Sequence, residues 1–195
     1  TREEALRTWA FWTFNFTFVF ISFHHTAFTF HIVSIGEAAG RLKTEVIGYF
    51  VPMSVVSVLT NMLSGWMSSR TRLKCHLALM NAAALIGVAG VIHLHTTWGV
   101  FAFVIGNGMC GGFFSALSGV VWPRFFGRRW LGAISGVGMA SMVIASGIGP
   151  LAFSLSLYWK GSYAPILWVS SLIPATLLVA SAWADNPQRK TAISD

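Results

Sequence analysis

Residues 9–35 read WAFWTFNFTFVFISFHHTAFTFHIVSI, an uninterrupted run of 27 residues without Lys, Arg, Asp or Glu. A helix needs about 20 predominantly apolar residues to cross the hydrocarbon core of a bilayer. In lipid the backbone must satisfy its own hydrogen bonds, and a run of this length does so as a helix, whereas barrel strands are short and alternating. The stretch therefore predicts a membrane-spanning helix.

Five further apolar runs of spanning length follow this first one, at residues 46–67, 75–94, 98–122, 131–157 and 163–184. The 195-residue chain is 55% hydrophobic and only 10% charged, against about 25% charged residues in an ordinary soluble domain. This composition argues against a soluble enzyme, a disordered tail or a disulfide scaffold. It predicts an all-α membrane protein with a six-helix bundle over 9–184, a lead-in segment at 1–8 and a tail at 185–195.

Basic residues are distributed unequally between the two sides of the predicted bundle. Ten of them lie on the side of the chain termini, and three (Arg41, Lys43 and Lys160) lie on the other side. By the positive-inside rule both termini are cytoplasmic, and we expect the protein in the inner membrane of a bacterium. Topology thus explains the net charge of +7 without nucleic acid, and anionic lipid headgroups become the expected partner of the basic loops.

The six runs also show a weak internal repeat. The first three start at residues 9, 46 and 75, and the last three start at 98, 131 and 163, so that the offsets are 89, 85 and 88 residues. Two units of three helices each must have opposite orientations in the membrane. This spacing predicts two inverted three-helix repeats, as in many secondary transporters.

Several short stretches are typical of one transporter family. They are REEALRTWAFW (2–12), FHIV (30–33) followed by EAAG (37–40), WPRFFGRRWLG (122–132) and GIGP (147–150). Together they resemble the C-terminal half of a major facilitator superfamily transporter, nearest to bacterial members of the oxalate/formate antiporter and monocarboxylate transporter branches. The resemblance covers nearly the whole chain.

The resemblance implies a secondary active transporter that works by alternating access. It also implies a small organic anion such as a carboxylate as substrate. We expect no cofactor, and no metal site, because His24 and His31 stand about 10 Å apart along the helix axis and no His pair at i, i+4 exists. A second six-helix half is expected, supplied either by an upstream stretch of the same protein or by a second copy of the chain.

One loop departs from the pattern of that superfamily. The motif after its eighth helix has a Gly, an Asp four residues later, and then basic residues. Here Gly65 is followed by Ser69 at the Asp position, and then by Arg70, Arg72 and Lys74. The salt bridge that the motif implies therefore lacks its carboxylate.

Polar residues inside the runs are the candidates for substrate binding, because such residues usually mark substrate and ion pathways. His24 and His31 are seven residues apart, which places them on nearly the same helix face, where a His could bind a carboxylate or relay a proton. Asn61 and Asn107 are the candidates on the second and fourth helices. The alternative is that these side chains only form hydrogen bonds to neighbouring helices.

Glycine-rich segments indicate close helix packing or hinges. They comprise Gly106, Gly108, Gly111 and Gly112 in the fourth run, and Gly132, Gly136, Gly149 and Pro150 in the fifth. Packing is the favoured interpretation for the first group. It is also favoured for the seam that Gly132 and Gly136 form with Ala140, whereas Gly149 and Pro150 predict a bend.

Two other classes of function stay open. A phosphate-binding Gly loop, an acid pair and a nucleophile triad are absent from the sequence, and every carboxylate lies outside the apolar runs, so we do not expect an enzyme of those kinds. A haem-binding membrane oxidoreductase subunit is one alternative, because the chain has 6 His. A non-transporting membrane partner subunit is the other.

Overall fold

The computed structural model describes residues 1–188, which form eight helices and contain no strand. The helices are α1 (Arg2–Leu6), α2 (Trp9–Ala38), α3 (Lys43–Gly48), α4 (Phe50–Ser68), α5 (Leu73–Ile92), α6 (Thr97–Phe126), α7 (Leu131–Lys160) and α8 (Ala164–Ser181). Six segments are long and apolar enough to cross a membrane, with α3 and α4 together forming the second. The all-α fold and the six apolar helices of membrane-spanning length are thus confirmed. The predicted tail at 185–195 lies within the described residues only up to 188, and Arg189 and Lys190 lie outside them.

The ends of several helices differ from the ends of the apolar runs. Helix α6 continues past residue 122 to Phe126, and α7 continues past residue 157 to Lys160. Each is followed by a glycine with positive φ, 74° at Gly127 and 64° at Gly161, where glycine avoids the steric cost of a Cβ. Charged side chains at a helix end can reach the interface, so a helix need not end where the apolar run does.

The sixth span is shorter than predicted, and the third has the predicted length but lies two residues closer to the N-terminus. Helix α5 ends at Ile92 rather than 94, and α8 ends at Ser181 rather than 184. A hydrogen-bonded turn follows each helix, and one of these turns is closed by the Ala184 N–H donating to the Ser181 carbonyl at 3.1 Å. Both turns include residues of the predicted apolar runs, so hydropathy alone did not mark these helix ends.

Two pairs of helices pack in parallel over most of their length. In the first pair, α2 and α7, the Ser22 hydroxyl donates to the Met142 carbonyl at 2.9 Å, and further along both helices a ring nitrogen of His31 lies 3.1 Å from the Pro150 carbonyl oxygen. In the second pair, α4 and α6, Gly112 lies against the Ser57 backbone. Each pair joins helices from the two halves of the chain.

Helix α5 packs antiparallel against both α6 and α8. A Cβ built on Gly90 would lie 2.7 Å from the carbonyl carbon of Ala102, so the backbones of α5 and α6 are in direct contact. At its other end, α5 approaches the end of α8, where the Lys74 ammonium donates to the Ala182 carbonyl at 3.1 Å. Helix α5 thereby connects the two halves on one side of the bundle.

One end of the bundle, which we call the basic end, contains the loop between α4 and α5. Here Asp185 forms ion pairs with Lys74 at 3.0 Å and with Arg72 at 3.3 Å. Partial burial acts to raise the pKa of Asp185, but the hydrogen bond from Lys74 and the nearby positive charges hold it below its usual value. Lys74 is thus paired with a carboxylate that is distant in sequence.

The other residues of the loop motif make no comparable ion pair among the described residues. No heavy atom lies within 4 Å of a Cβ built on Gly65, so this glycine is not required by packing here. The Arg70 guanidinium carbon lies 4.2 Å from the centre of the Trp66 ring. A Trp beside a basic side chain is typical of the level of the lipid headgroups.

Helices α2 and α6 also meet at the basic end, through aromatic side chains. Phe14 contacts Phe125 with ring centres 5.4 Å apart, and Phe18 contacts Trp122 at 5.9 Å. All four rings are buried. This cluster closes the space between α2 and α6 at the basic end, and the polar residues described next lie above it.

Candidate functional site

Polar side chains lie near the middle of α2, α4 and α6, which are connected by contacts of Phe28 with Phe50 and of Gly111 with Ser57, and we call this group of side chains the polar face. On α4, Phe50, Ser54, Ser57 and Asn61 recur every three or four residues and so share one side of the helix. Phe50 packs on Phe28 of α2, with ring centres 6.4 Å apart. This contact places the start of that side of α4 against α2.

The ring of Phe28 also contacts His25, the residue that α2 contributes to the polar face. His25 packs on Phe28 with ring centres 4.7 Å apart and is half-buried. From α6, Gly111 approaches Ser57, whose Oγ lies 3.3 Å from a Cβ built on that glycine. One turn further along α6 lies the exposed Ser115. The polar face therefore consists of His25, Ser54, Ser57, Asn61 and Ser115.

The members of the polar face differ in whether their polar groups already have partners. Ser54 donates to the Val51 carbonyl at 2.7 Å, and Ser115 donates to the Gly111 carbonyl at 3.0 Å. By contrast, His25, Ser57 and Asn61 have no hydrogen-bond partner among residues 1–188. Because unpartnered polar groups are costly in lipid, these three side chains require water, a ligand or another protein surface.

His24, the first predicted substrate residue, lies outside the polar face. Its ring is only 4% exposed and is surrounded by the rings of Phe20, Phe28 and Phe153 at centre distances of 5.6, 5.5 and 6.3 Å. Both ring nitrogens are buried without a hydrogen-bond partner. The structure therefore places His24 inside an aromatic cage rather than on an open surface.

His31, the second predicted residue, lies on the same side of α2 as His24, and both rings contact Phe153. One of its nitrogens lies 3.1 Å from the Pro150 carbonyl oxygen, and the other lies 3.2 Å from the Tyr163 hydroxyl. The Tyr163 hydroxyl in turn donates to the Ser34 hydroxyl at 3.0 Å. His31 thus connects α2, α7 and the start of α8, which is the interhelical role considered as the alternative.

The two predicted Asn residues lie in different surroundings. Asn61 is exposed and belongs to the polar face. Asn107 is buried, donates from its amide nitrogen to the Phe103 carbonyl at 2.9 Å, and lies against Gly87 of α5. Of the four predicted residues, the structure brings only Asn61 to the polar face.

The glycines of α6 lie where neighbouring backbones approach closely. A Cβ on Gly106 would lie 2.6 Å from the Gly87 Cα, and a Cβ on Gly108 would lie 2.8 Å from the Met53 carbonyl oxygen. Gly112 lies equally close to α4, whereas Gly111 leaves more room. Both sides of α6 therefore require glycine to pack.

The glycines of α7 divide into two groups. Gly149 lies against the Phe23 carbonyl of α2, next to Pro150, whose carbonyl oxygen lies near His31. Gly132 and Gly136 have no heavy atom within 4 Å of an added Cβ. The seam that they form with Ala140 is exposed, so no helix among residues 1–188 covers that side of α7, and the packing of this seam stays a prediction.

The sequence interpretation missed two groups of buried polar residues. His76 accepts or donates hydrogen bonds at both ring nitrogens, to Ser64 at 3.0 Å and to Thr71 at 2.7 Å, and so fixes the turn between α4 and α5. The amide nitrogen of Asn81 donates to Thr17 of α2 at 3.2 Å. These partners are far apart in sequence or separated by a turn, and no local spacing signals them.

Possible metal ligands are scattered in the described part of the chain. Among residues 1–188, no group of three or more His, Cys, Asp or Glu side chains could hold a metal ion. His93 and His95 lie near each other, with ring centres 6.0 Å apart, outside the spanning helices.

No protein-family model matches the chain, and no curated protein matches it either.

Proposed function

We propose that this chain is one six-helix half of a secondary active transporter of the major facilitator type. It would work by alternating access in a bacterial inner membrane and carry a small organic anion such as a carboxylate. The observation that carries this proposal is the packing of α2 on α7 and of α4 on α6, together with the polar face that these helices leave open.

The parallel pairs support an inverted repeat. If α2, α4 and α5 form one unit and α6, α7 and α8 the other, the first helix of each unit packs against the second helix of the other unit. The equivalent helices are then α2 and α6, α4 and α7, and α5 and α8. The α2–α7 pair is therefore equivalent to the α6–α4 pair, and the α5–α8 contact joins two equivalent helices. Interlocked units of opposite orientation are typical of secondary transporters.

The polar face supports the binding of an anion. An imidazole N–H of His25, the Ser57 hydroxyl and the Asn61 amide can all donate hydrogen bonds, and none of the three has a partner among the described residues. A carboxylate accepts several such bonds. Transporter sites lie near the bilayer midplane between two repeats or halves, so a second six-helix half would cover this surface and complete the site.

Uptake by reconstituted protein tests the function. The full native gene product containing this chain is placed in liposomes and supplied in turn with radiolabelled formate, oxalate and lactate. We expect saturable accumulation of at least one of them above that in empty liposomes. Absence of uptake for all three by protein that is monodisperse would contradict the proposed substrate class, and a Soret absorption band in the same sample would favour the haem alternative.

Thiol labelling tests the proposed orientation. We expect Ser69→Cys, in the loop between α4 and α5, to react with a membrane-impermeant maleimide in inverted vesicles but not in intact cells. Ser162→Cys, between α7 and α8, should show the opposite pattern. Both serines are exposed, and the native Cys75 and Cys110 are first replaced by Ser and Ala. Labelling of Ser69→Cys in intact cells would show that the positive-inside assignment is reversed.

A further inference from the structure

An apolar groove lies on the side of the bundle away from the polar face. It runs between α7 and α8 with α2 as its floor, has a volume of about 440 Å³ and is lined mainly by Phe16, Phe20, Phe23, Ile148, Ile173 and Thr176. The Thr176 hydroxyl already donates to the Ile173 carbonyl at 2.8 Å. The surface that the groove offers to a ligand is therefore almost entirely hydrocarbon.

A polar group without a partner lies directly behind the wall of this groove. Phe20 lines the groove and stacks on His24, with ring centres 5.6 Å apart and planes at 9°. Phe23 also lines the groove and contacts Phe153, a second ring that contacts His24. Phe20 and Phe23 thus separate the groove from a ring whose two nitrogens are buried and unpartnered.

We propose that the groove and His24 together bind a lipophilic monocarboxylic acid that enters from the bilayer in its protonated form. The hydrocarbon tail fills the groove, and the ring of Phe20 rotates to another side-chain rotamer to admit the carboxyl group. The acid O–H then donates to the unprotonated nitrogen of His24, since a neutral imidazole has one acceptor nitrogen. No covalent step is involved.

The chemistry of the groove selects this ligand over other amphiphiles. A volume of about 440 Å³ fits one small ligand, and apolar walls favour a single hydrocarbon tail. A charged head is costly at this depth in the membrane, whereas a neutral carboxyl group meets a neutral His. The charged headgroup of a phospholipid would instead remain at the interface. The site goes beyond the proposed transport function and does not depend on it.

Photolabelling tests the site directly. The purified native gene product in lipid nanodiscs is irradiated with a diazirine analogue of decanoic acid, and the labelled peptides are identified by mass spectrometry. We expect labels on α2, α7 and α8 within the groove, and competition by decanoic acid but not by methyl decanoate, which lacks the O–H. Labelling elsewhere, or equal competition by acid and ester, would overturn the proposal.

Matched variants separate binding in the groove from general partition into lipid. Ile173→Trp fills the groove and should lower the labelling by about tenfold or more, whereas Leu172→Trp places the same ring on the exposed side of α8 and should not. His24→Leu should abolish the preference for acid over ester, and His24→Gln, which keeps an acceptor, should retain it. Equal labelling of Ile173→Trp and Leu172→Trp would refute the site.

The same samples keep this proposal distinct from the transport proposal. Uptake of formate, oxalate and lactate is measured in parallel with labelling. Labelling that follows the expected pattern in a protein that carries none of these anions supports the groove and counts against the transport function. Uptake without specific labelling supports the transport function and counts against the groove.

Discussion

Gly106→Ala is expected to reduce the yield of folded protein to a small fraction of the wild-type yield. The added Cβ would lie 2.6 Å from the Gly87 Cα and 2.8 Å from the Ala83 carbonyl oxygen, and both are backbone atoms of α5. Backbone cannot rotate away as a side chain can, so α5 and α6 must separate along their contact. Overpacking usually costs about 1–3 kcal/mol and more where relief is blocked. Fluorescence-detected gel filtration of membranes solubilised in mild detergent measures the yield.

Gly119→Ala is the matched control for this change. Gly119 lies in the same helix, but no heavy atom lies within 4 Å of its added Cβ. Alanine favours a helix over glycine by up to about 1 kcal/mol, so the control should fold at least as well as the wild-type protein. If Gly106→Ala and Gly119→Ala give equal yields and equal melting temperatures, the close approach of α5 and α6 is wrong.

The comparison of α6 with α7 shows what glycine spacing can and cannot predict. Both helices contain small residues at intervals of four, and packing was the predicted role in both. In α6 the glycines contact α4 and α5, whereas a Cβ added to Gly132 or Gly136 of α7 would meet no neighbouring helix within 4 Å. Spacing within one helix fixes which residues share a face, but the neighbour of that face is set by residues far away in sequence.

The number of spanning helices was predictable because it depends on local composition. Each span needs a long apolar run, and charge limits each run independently. The helix ends were less predictable. The capping glycines Gly127 and Gly161, with positive φ, determine where α6 and α7 end, and both lie beyond the apolar runs.

The candidate site was harder to predict than the fold. The seven-residue spacing correctly placed His24 and His31 on one side of α2, since both contact Phe153. That side, however, is buried against α7. A helix that is apolar on all sides gives no amphipathic signal of which face is open. The sequence therefore could not indicate that His25, rather than His24, lies on the less buried side of α2.

The replacement of His25 by Phe is expected to abolish most of the uptake without reducing the yield of folded protein. His25 is half-buried and has no hydrogen-bond partner among the described residues, so its loss breaks no hydrogen bond within the bundle, and a Phe ring can pack on Phe28 as the imidazole does. A hydrogen bond to a charged group contributes about 1.5–3 kcal/mol, which corresponds to an about 10- to 100-fold loss of uptake at low substrate concentration.

Two further variants show whether such a loss reflects substrate binding. His25→Gln keeps an N–H donor and should recover part of the uptake, which a purely structural role for the ring would not explain. His95→Phe makes the same exchange at an exposed position between α5 and α6 and should leave uptake unchanged. Initial rates over a range of anion concentrations should show a raised KM for His25→Phe, because the lost hydrogen bond acts on binding. Wild-type uptake by His25→Phe would remove this residue from the transport site, and the polar face would then lose its strongest anion partner.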